Sequence, residues 1–173
     1  HIPTFVNVSL RKIINCLLQL NKKNYILKSQ FLTFQNIFYS INFVFRIDKI
    51  KIKKIFFKKL NIKDLILREL YLRRNVNASI IALQNYFFAK NLKDRNIKLR
   101  SVISWNENSS VDKGWNYGFR SFYEGVNTYG YQGYFVEKKL SSIDITYNEF
   151  KAKTCPEYLL LVGPILKRSR SEF

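Results

Sequence analysis

The sixteen residues from Ser104 to Phe119, SWNENSSVDKGWNYGF, hold the side chains best suited to chemistry. Glu107 is a carboxylate that could take a proton from a hydroxyl or bind it, or simply be an acid at a helix end. Asp112 and Lys113 follow within one helical turn. They read either as a solvated pair or as a second acid with a cation for developing negative charge. Trp105, Asn106 and Asn108 flank the acid. Gly114 and Gly118, four apart, share a helix face and allow close packing on a neighbour. Trp115 and Phe119 read as core.

This cluster needs a strand that ends at Trp105 and a helix that begins near Ser109. Ile97 to Trp105 reads as the strand, with Val102 and Ile103 as its β-branched centre, after a turn at Asn96. Val111 to Tyr123 reads as the helix. Glu107 and Asn108 then lie at the carboxyl end of the strand, where open parallel sheets gather ligands. The unpaired N–H groups of the helix start suit a phosphate or carboxylate. A second strand, Thr128 to Val136, carries Gly130, Gln132 and Gly133. Glycines inside a strand mark a bulge, tight packing, or an edge facing a ligand cleft. Glu157 to Val162 is a third, short strand, closed by Gly163-Pro164. Upstream, Asp64 is a candidate cap for a helix over Leu65 to Arg74. Ser79 is a candidate cap for Ile80 to Lys93, whose apolar face is Ile80, Leu83, Phe87 and Phe88. Residues 5–20 read as a helix, and 25–47 as helix or strand. The alternation in Lys49 to Lys59 reads as an edge strand or a basic connector. Helix, strand, helix, strand predicts an α/β fold with a Rossmann-like parallel sheet.

Charge is distributed unevenly. Residues 1–100 carry 21 Lys/Arg against 4 Asp/Glu, and residues 101–173 carry 9 against 8. Such asymmetry points to an anionic partner, either nucleic acid or a membrane surface. Codon bias is the competing explanation, because Lys, Asn, Ile, Phe and Tyr make up 82 of the 173 residues. The single histidine, His1, rules out His-based metal clusters and triads within the chain. Cys16 and Cys155 lack metal-ligand spacing and read as reduced thiols of a cytosolic protein. No segment has the roughly 18 uncharged apolar residues of a membrane span. The start at His1 and the lack of methionine read as a piece of a longer chain.

WNENSSVDKGWNYGF, GYQGYFV and PEYLLLVGP together resemble a family of bacterial surface carbohydrate (capsule or O-antigen) biosynthesis proteins. The resemblance covers about residues 60–173 and is most specific from 104 to 134. It implies a GT-B glycosyltransferase-like architecture, in which two Rossmann-like domains face each other across a cleft. Residues 1–136 would then be the partial first domain, 137–156 a linker, and 157–173 the start of a second domain. Glu107, Asp112 and Lys113 would be the catalytic candidates. Trp105, Asn108, Gly130, Gln132, Gly133 and Gly163 would bind substrate. Related polymer-forming transferases have a Gln-His-Gly element near Gln132, but Tyr134 stands here instead of its histidine, so no catalytic histidine carries over. The resemblance implies no cofactor or metal. Its substrates would be a nucleotide sugar, held mainly by the second domain, and a glycan or lipid-linked acceptor. This piece alone would be inactive. Its place would be cytoplasmic, with the basic half against the anionic inner leaflet. A basic nucleic-acid-binding protein and an inactive remnant of a decayed gene remain the alternatives.

Overall fold

The computed structural model describes residues 26–47, 49–72, 76–133 and 144–163, with Ser9, Arg11, Lys12, Ile14, Asn15 and Leu18 as isolated positions. The helix expected over 5–20 therefore lies largely outside the described residues, although Arg11, Lys12, Ile14, Asn15 and Leu18 are helical.

The protein is a mixed α/β chain with a three-stranded parallel sheet and a separate antiparallel pair. A 3₁₀ turn at Lys28–Gln30 leads into α1 (Phe34–Ile41) and α2 (Phe43–Ile47). The segment 25–47, ambiguous by period, is thus helical where described. Thr33 fixes the start of α1: its Oγ1 accepts from the Asn36 N–H, and the Asn36 side chain accepts from the Thr33 N–H. The alternating lysines and isoleucines up to Lys53 form no strand. The pairing comes later, as a hairpin of β1 (Phe56–Phe57) and β2 (Leu60–Asn61). Its two-residue turn has Lys58 at φ 45° and Lys59 at φ 73°. That is the left-handed geometry tight hairpins need, and it is normally filled by Asn-Gly. A lysine there costs about 1–2 kcal/mol per residue.

Next come α3 (Lys63–Leu72) and α4 (Val76–Asp94). Both start earlier than expected. Asp64 lies inside the first turn of α3 and is not its cap; the Asn61 side chain instead accepts from the Lys63 N–H. Ser79 is likewise inside α4, whose buried face is Asn85, Phe88, Ala89 and Leu92. Of the expected face only Phe88 is fully buried, because α4 meets α5 through its smaller residues.

The sheet consists of β3 (Ser101–Trp105), β4 (Asn127–Gln132) and β5 (Tyr158–Leu161), neighbours in that order and all parallel. Helix α5 (Ser110–Phe122) connects β3 to β4, and the short α6 (Tyr147–Lys151) precedes β5. Tyr129 pairs with Tyr158 and Gln132 with Leu161. The strand from 157, expected to open a second domain, is thus the third strand of this same sheet. Arg120 of α5 donates to the Phe150 and Cys155 carbonyls, and Lys113 pairs with Glu149.

Successive right-handed crossovers in one direction put their helices on one face of a sheet. On that face α4 and α5 pack together over Val102. Phe88, Ala89, Leu92, Val102, Phe119 and Tyr123 form the core, and Trp115 packs tilted against Phe119 at 4.6 Å between centroids. The glycine pair of α5 allows the approach: a Cβ at Gly114 would lie 2.1 Å from the Ala82 carbonyl oxygen. The opposite face is exposed among the described residues. Ile103 and Trp105 of β3, Tyr131 of β4, and Tyr158 and Leu160 of β5 point outward, and Ile103 is 65% exposed. Strand alternation turns Ile103 outward when Val102 faces the helices. Parallel sheets are ordinarily covered on both faces. Among the described residues no helix is long and apolar enough to cross a membrane.

Candidate functional site

Parallel pairing brings the carboxyl ends of all three strands to one edge. Trp105, Glu107, Asn108, Gln132, Gly133 and Gly163 therefore share that edge. β3 ends there because its ladder closes: the Asn106 N–H donates to the Tyr131 carbonyl at 2.9 Å, and Asn106 is buried. The chain then reverses through Asn108, at φ 55°, a left-handed position that asparagine tolerates.

Glu107 stands exposed at the mouth. The Trp105 indole N–H donates to its Oε1 at 2.9 Å, which holds the carboxylate beside the ring. The Trp105 and Tyr131 rings meet at 5.6 Å and 72°, forming an angled aromatic corner. Gly133 supports that corner, since a Cβ there would come within 2.7 Å of Tyr131 and 2.9 Å of Trp105. Tyr131 was not singled out in the sequence. Its alternation with Gln132 was the available signal, because one residue of such a pair must face outward.

Asp112 and Lys113 are both engaged by partners within the protein. Asp112 Oδ2 accepts from the Glu107 N–H at 2.9 Å, the Ser109 N–H at 3.0 Å and the Ser109 hydroxyl at 2.9 Å. With Ser109 it forms the capping box of α5. The helix start is thus already matched by its own carboxylate, which weakens its pull on a phosphate. Lys113 forms an ion pair with Glu149 of α6. Burial raises the Glu149 pKa, but hydrogen bonds from Lys113 and Thr146 outweigh that and hold it at about 2. Asn108 joins this pin, its amide donating to the Asp144 carbonyl at 3.1 Å. Asn108, Asp112 and Lys113 therefore position the loop that carries Glu107.

Gly130 is packing rather than a cleft edge: a Cβ there would be 2.6 Å from Pro156 and 2.9 Å from Asn106. Gly163, at φ 80°, ends β5 in open space. Gln132 is fully buried at the carboxyl end of β4, and neither of its amide atoms has a hydrogen-bond partner among the described residues. Two unmet polar atoms in a buried site are costly, at about 1–3 kcal/mol each.

A cavity of about 640 Å³ runs along β3 on the side away from β4. Among the described residues no strand pairs with β3 there. The cavity reaches from Lys28 and Asn85 past Ser104 to Trp105, Asp112 and Trp115. Lys28 Nζ donates to Asn85 Oδ1 at 3.0 Å, and burial lowers its pKa. This cation lies more than seventy residues before the motif, and no sequence spacing reveals it. The volume is in the range of small-molecule sites, roughly 300–1,000 Å³. Among the described residues no three His, Cys, Asp or Glu side chains are grouped to hold a metal ion. No known protein family, curated protein or solved structure matches the chain.

Proposed function

We propose that this edge of the sheet is the acceptor side of a sugar-transfer site, in a protein of GT-B-like glycosyltransferase organisation that makes surface polysaccharide. The observation that carries the proposal is the exposed Glu107 carboxylate, oriented by the Trp105 indole at the carboxyl end of β3, beside a cavity of about 640 Å³. A carboxylate so placed takes the proton of an acceptor hydroxyl as the glycosidic bond forms. The Trp105–Tyr131 corner offers aromatic faces to a sugar ring. Lys28 is a cation that faces the cavity, whereas Lys113 lies outside its lining and pairs with Glu149. The nucleotide-sugar donor would be held mainly by a second domain.

The test uses the indole N–H of Trp105 as reporter, with Trp115→Phe to assign it. Oligosaccharides and nucleotide sugars are titrated into ¹⁵N-labelled protein. A saturable shift of the Trp105 resonance, weakened at least about tenfold by Glu107→Gln, is expected. In a transfer assay on a chain with the second domain, Glu107→Gln lowers kcat by about 100-fold or more with folding intact. A Trp105 resonance that no ligand in the panel moves, or full turnover by the Gln variant, overturns the reading.

A further inference from the structure

The β1–β2 hairpin has no role in the sugar site, and its composition is unusual. Seven of the fifteen residues from 49 to 63 are lysine, and none is Arg, Asp or Glu. At its tip Phe56, Phe57 and Leu60 are 64%, 60% and 68% exposed. Phe57 pairs with Leu60 across the ladder, so these two side chains share one face. The base is closed by the Ile62 N–H donating to the Ile55 carbonyl at 2.8 Å. The two turn residues are lysines held at left-handed φ, where Asn-Gly would be unstrained. Strain kept at a solvent-exposed tip is a mark of function rather than of packing.

We propose that this hairpin is a membrane-docking tip that inserts Phe56, Phe57 and Leu60 among the lipids of an anionic bilayer. Charge complementarity selects the partner. An apolar tip ringed by lysines and lacking acids matches a surface whose outer layer is phosphate and whose interior is hydrocarbon. Lysine suits this geometry, because its long stem lies along apolar surface while the ammonium stays at headgroup level. The two residues of each strand reach about 7 Å, within the roughly 5–10 Å depth of the headgroup and acyl boundary. Nucleic acid fits the tip less well. The segment has no guanidinium to fork onto phosphates, and its remaining apolar residues, Ile50, Ile52, Ile55 and Ile62, cannot stack on bases. A convex two-residue turn also offers no groove to track a strand. The inference is independent of the sugar-transfer reading, since vesicle binding requires neither Glu107 nor a sugar.

The test is cosedimentation with phosphatidylcholine vesicles containing about 30% phosphatidylglycerol. Wild-type protein is expected to bind these at least about tenfold more tightly than pure phosphatidylcholine vesicles. Raising NaCl from about 0.1 M to about 0.5 M weakens binding about tenfold as the surface charge is screened. A Phe56→Ser, Phe57→Ser, Leu60→Ser variant loses about tenfold or more, with an unchanged circular dichroism spectrum, because these side chains lie outside the core. A single-stranded RNA of about 20 nucleotides serves as competitor. Equal vesicle binding by wild type and the triple variant overturns the proposal. So does RNA binding that is tighter than vesicle binding and is lost with the same three side chains.

Discussion

Replacing Gly114 with alanine tests the central packing claim, that α4 and α5 touch backbone to backbone. The added methyl carbon would lie 2.1 Å from the Ala82 carbonyl oxygen, 2.5 Å from its carbonyl carbon and 2.6 Å from its Cα. None of these atoms can rotate away. Ordinary carbon contacts lie near 3.5–4.0 Å, so the helices must part by about 1 Å at the crossing. A gap of that size forfeits a quarter to a half of each dispersion contact across it. The ring pairs between the helices stand to lose most: Phe88 with Trp115 at 6.0 Å, Phe88 with Phe119 at 6.3 Å, and Tyr86 with Phe122 at 5.2 Å. Overpacking of this kind costs about 3 kcal/mol, and the better helix propensity of alanine returns about 1 kcal/mol. A net loss of about 2 kcal/mol moves a urea midpoint by about 1 M. Gly118→Ala is the internal control. Its methyl would meet the Ala89 Cβ and Tyr86 Cα at 3.0 Å, which a shift of a few tenths of an ångström relieves. Urea unfolding followed by far-UV circular dichroism should therefore rank wild type and Gly118→Ala close together and Gly114→Ala well below. A Gly114→Ala midpoint equal to wild type, or a Gly118→Ala variant weaker than Gly114→Ala, refutes the backbone contact.

Two other measurements follow from the site. Glu149, held at about 2 against an ordinary 4.5, contributes stability above pH 4.5 that is lost as pH falls toward 2. After solvent screening the contribution is about 1–2 kcal/mol, so Glu149→Gln should flatten the decline in urea midpoint over that range, and an unchanged decline would contradict the pin. Gln132→Met removes two buried amide atoms that have no partner among the described residues, while keeping the volume. It should stabilise the protein by about 1–2 kcal/mol in thermal unfolding, whereas destabilisation would show that the amide is satisfied in solution.

The central β3–α5–β4 unit was legible because its signals are local. The polar run before Val111 marks a helix start near Ser109, and Val102 in a β-branched run makes a strand. Gly114 and Gly118 on one helix face foretold the helix contact. The aromatic run in 25–47 was not legible, since aromatic residues suit either period and only packing decides; Phe31, edge-on to Phe88 at 5.8 Å, shows the segment drawn to the helical core. The buried face of α4 was misplaced for the same reason. Close approach favours Asn85 and Ala89 over Ile80 and Leu83, and hydrophobicity cannot rank those. In the site, the sequence marks Glu107 and Trp105 as neighbours, but it cannot show that Asp112 and Lys113 are engaged elsewhere. Lys113 acquires its partner from Glu149, thirty-six residues later.

The open face of the sheet makes the molecule a colloid with two unlike surfaces. None of its outward side chains on β3, β4 and β5 is charged, in a chain with a formal net charge of +18. Dispersal then depends on mutual repulsion between whole molecules. At 0.1 M salt that repulsion extends about 10 Å, and at 1 M only about 3 Å. Salt that would merely screen an ordinary basic protein here lets one flat, tyrosine-rich plane settle on another. Ammonium sulfate at modest levels should drive precipitation well before it unfolds the core, and arginine or low ionic strength should keep the chain dispersed.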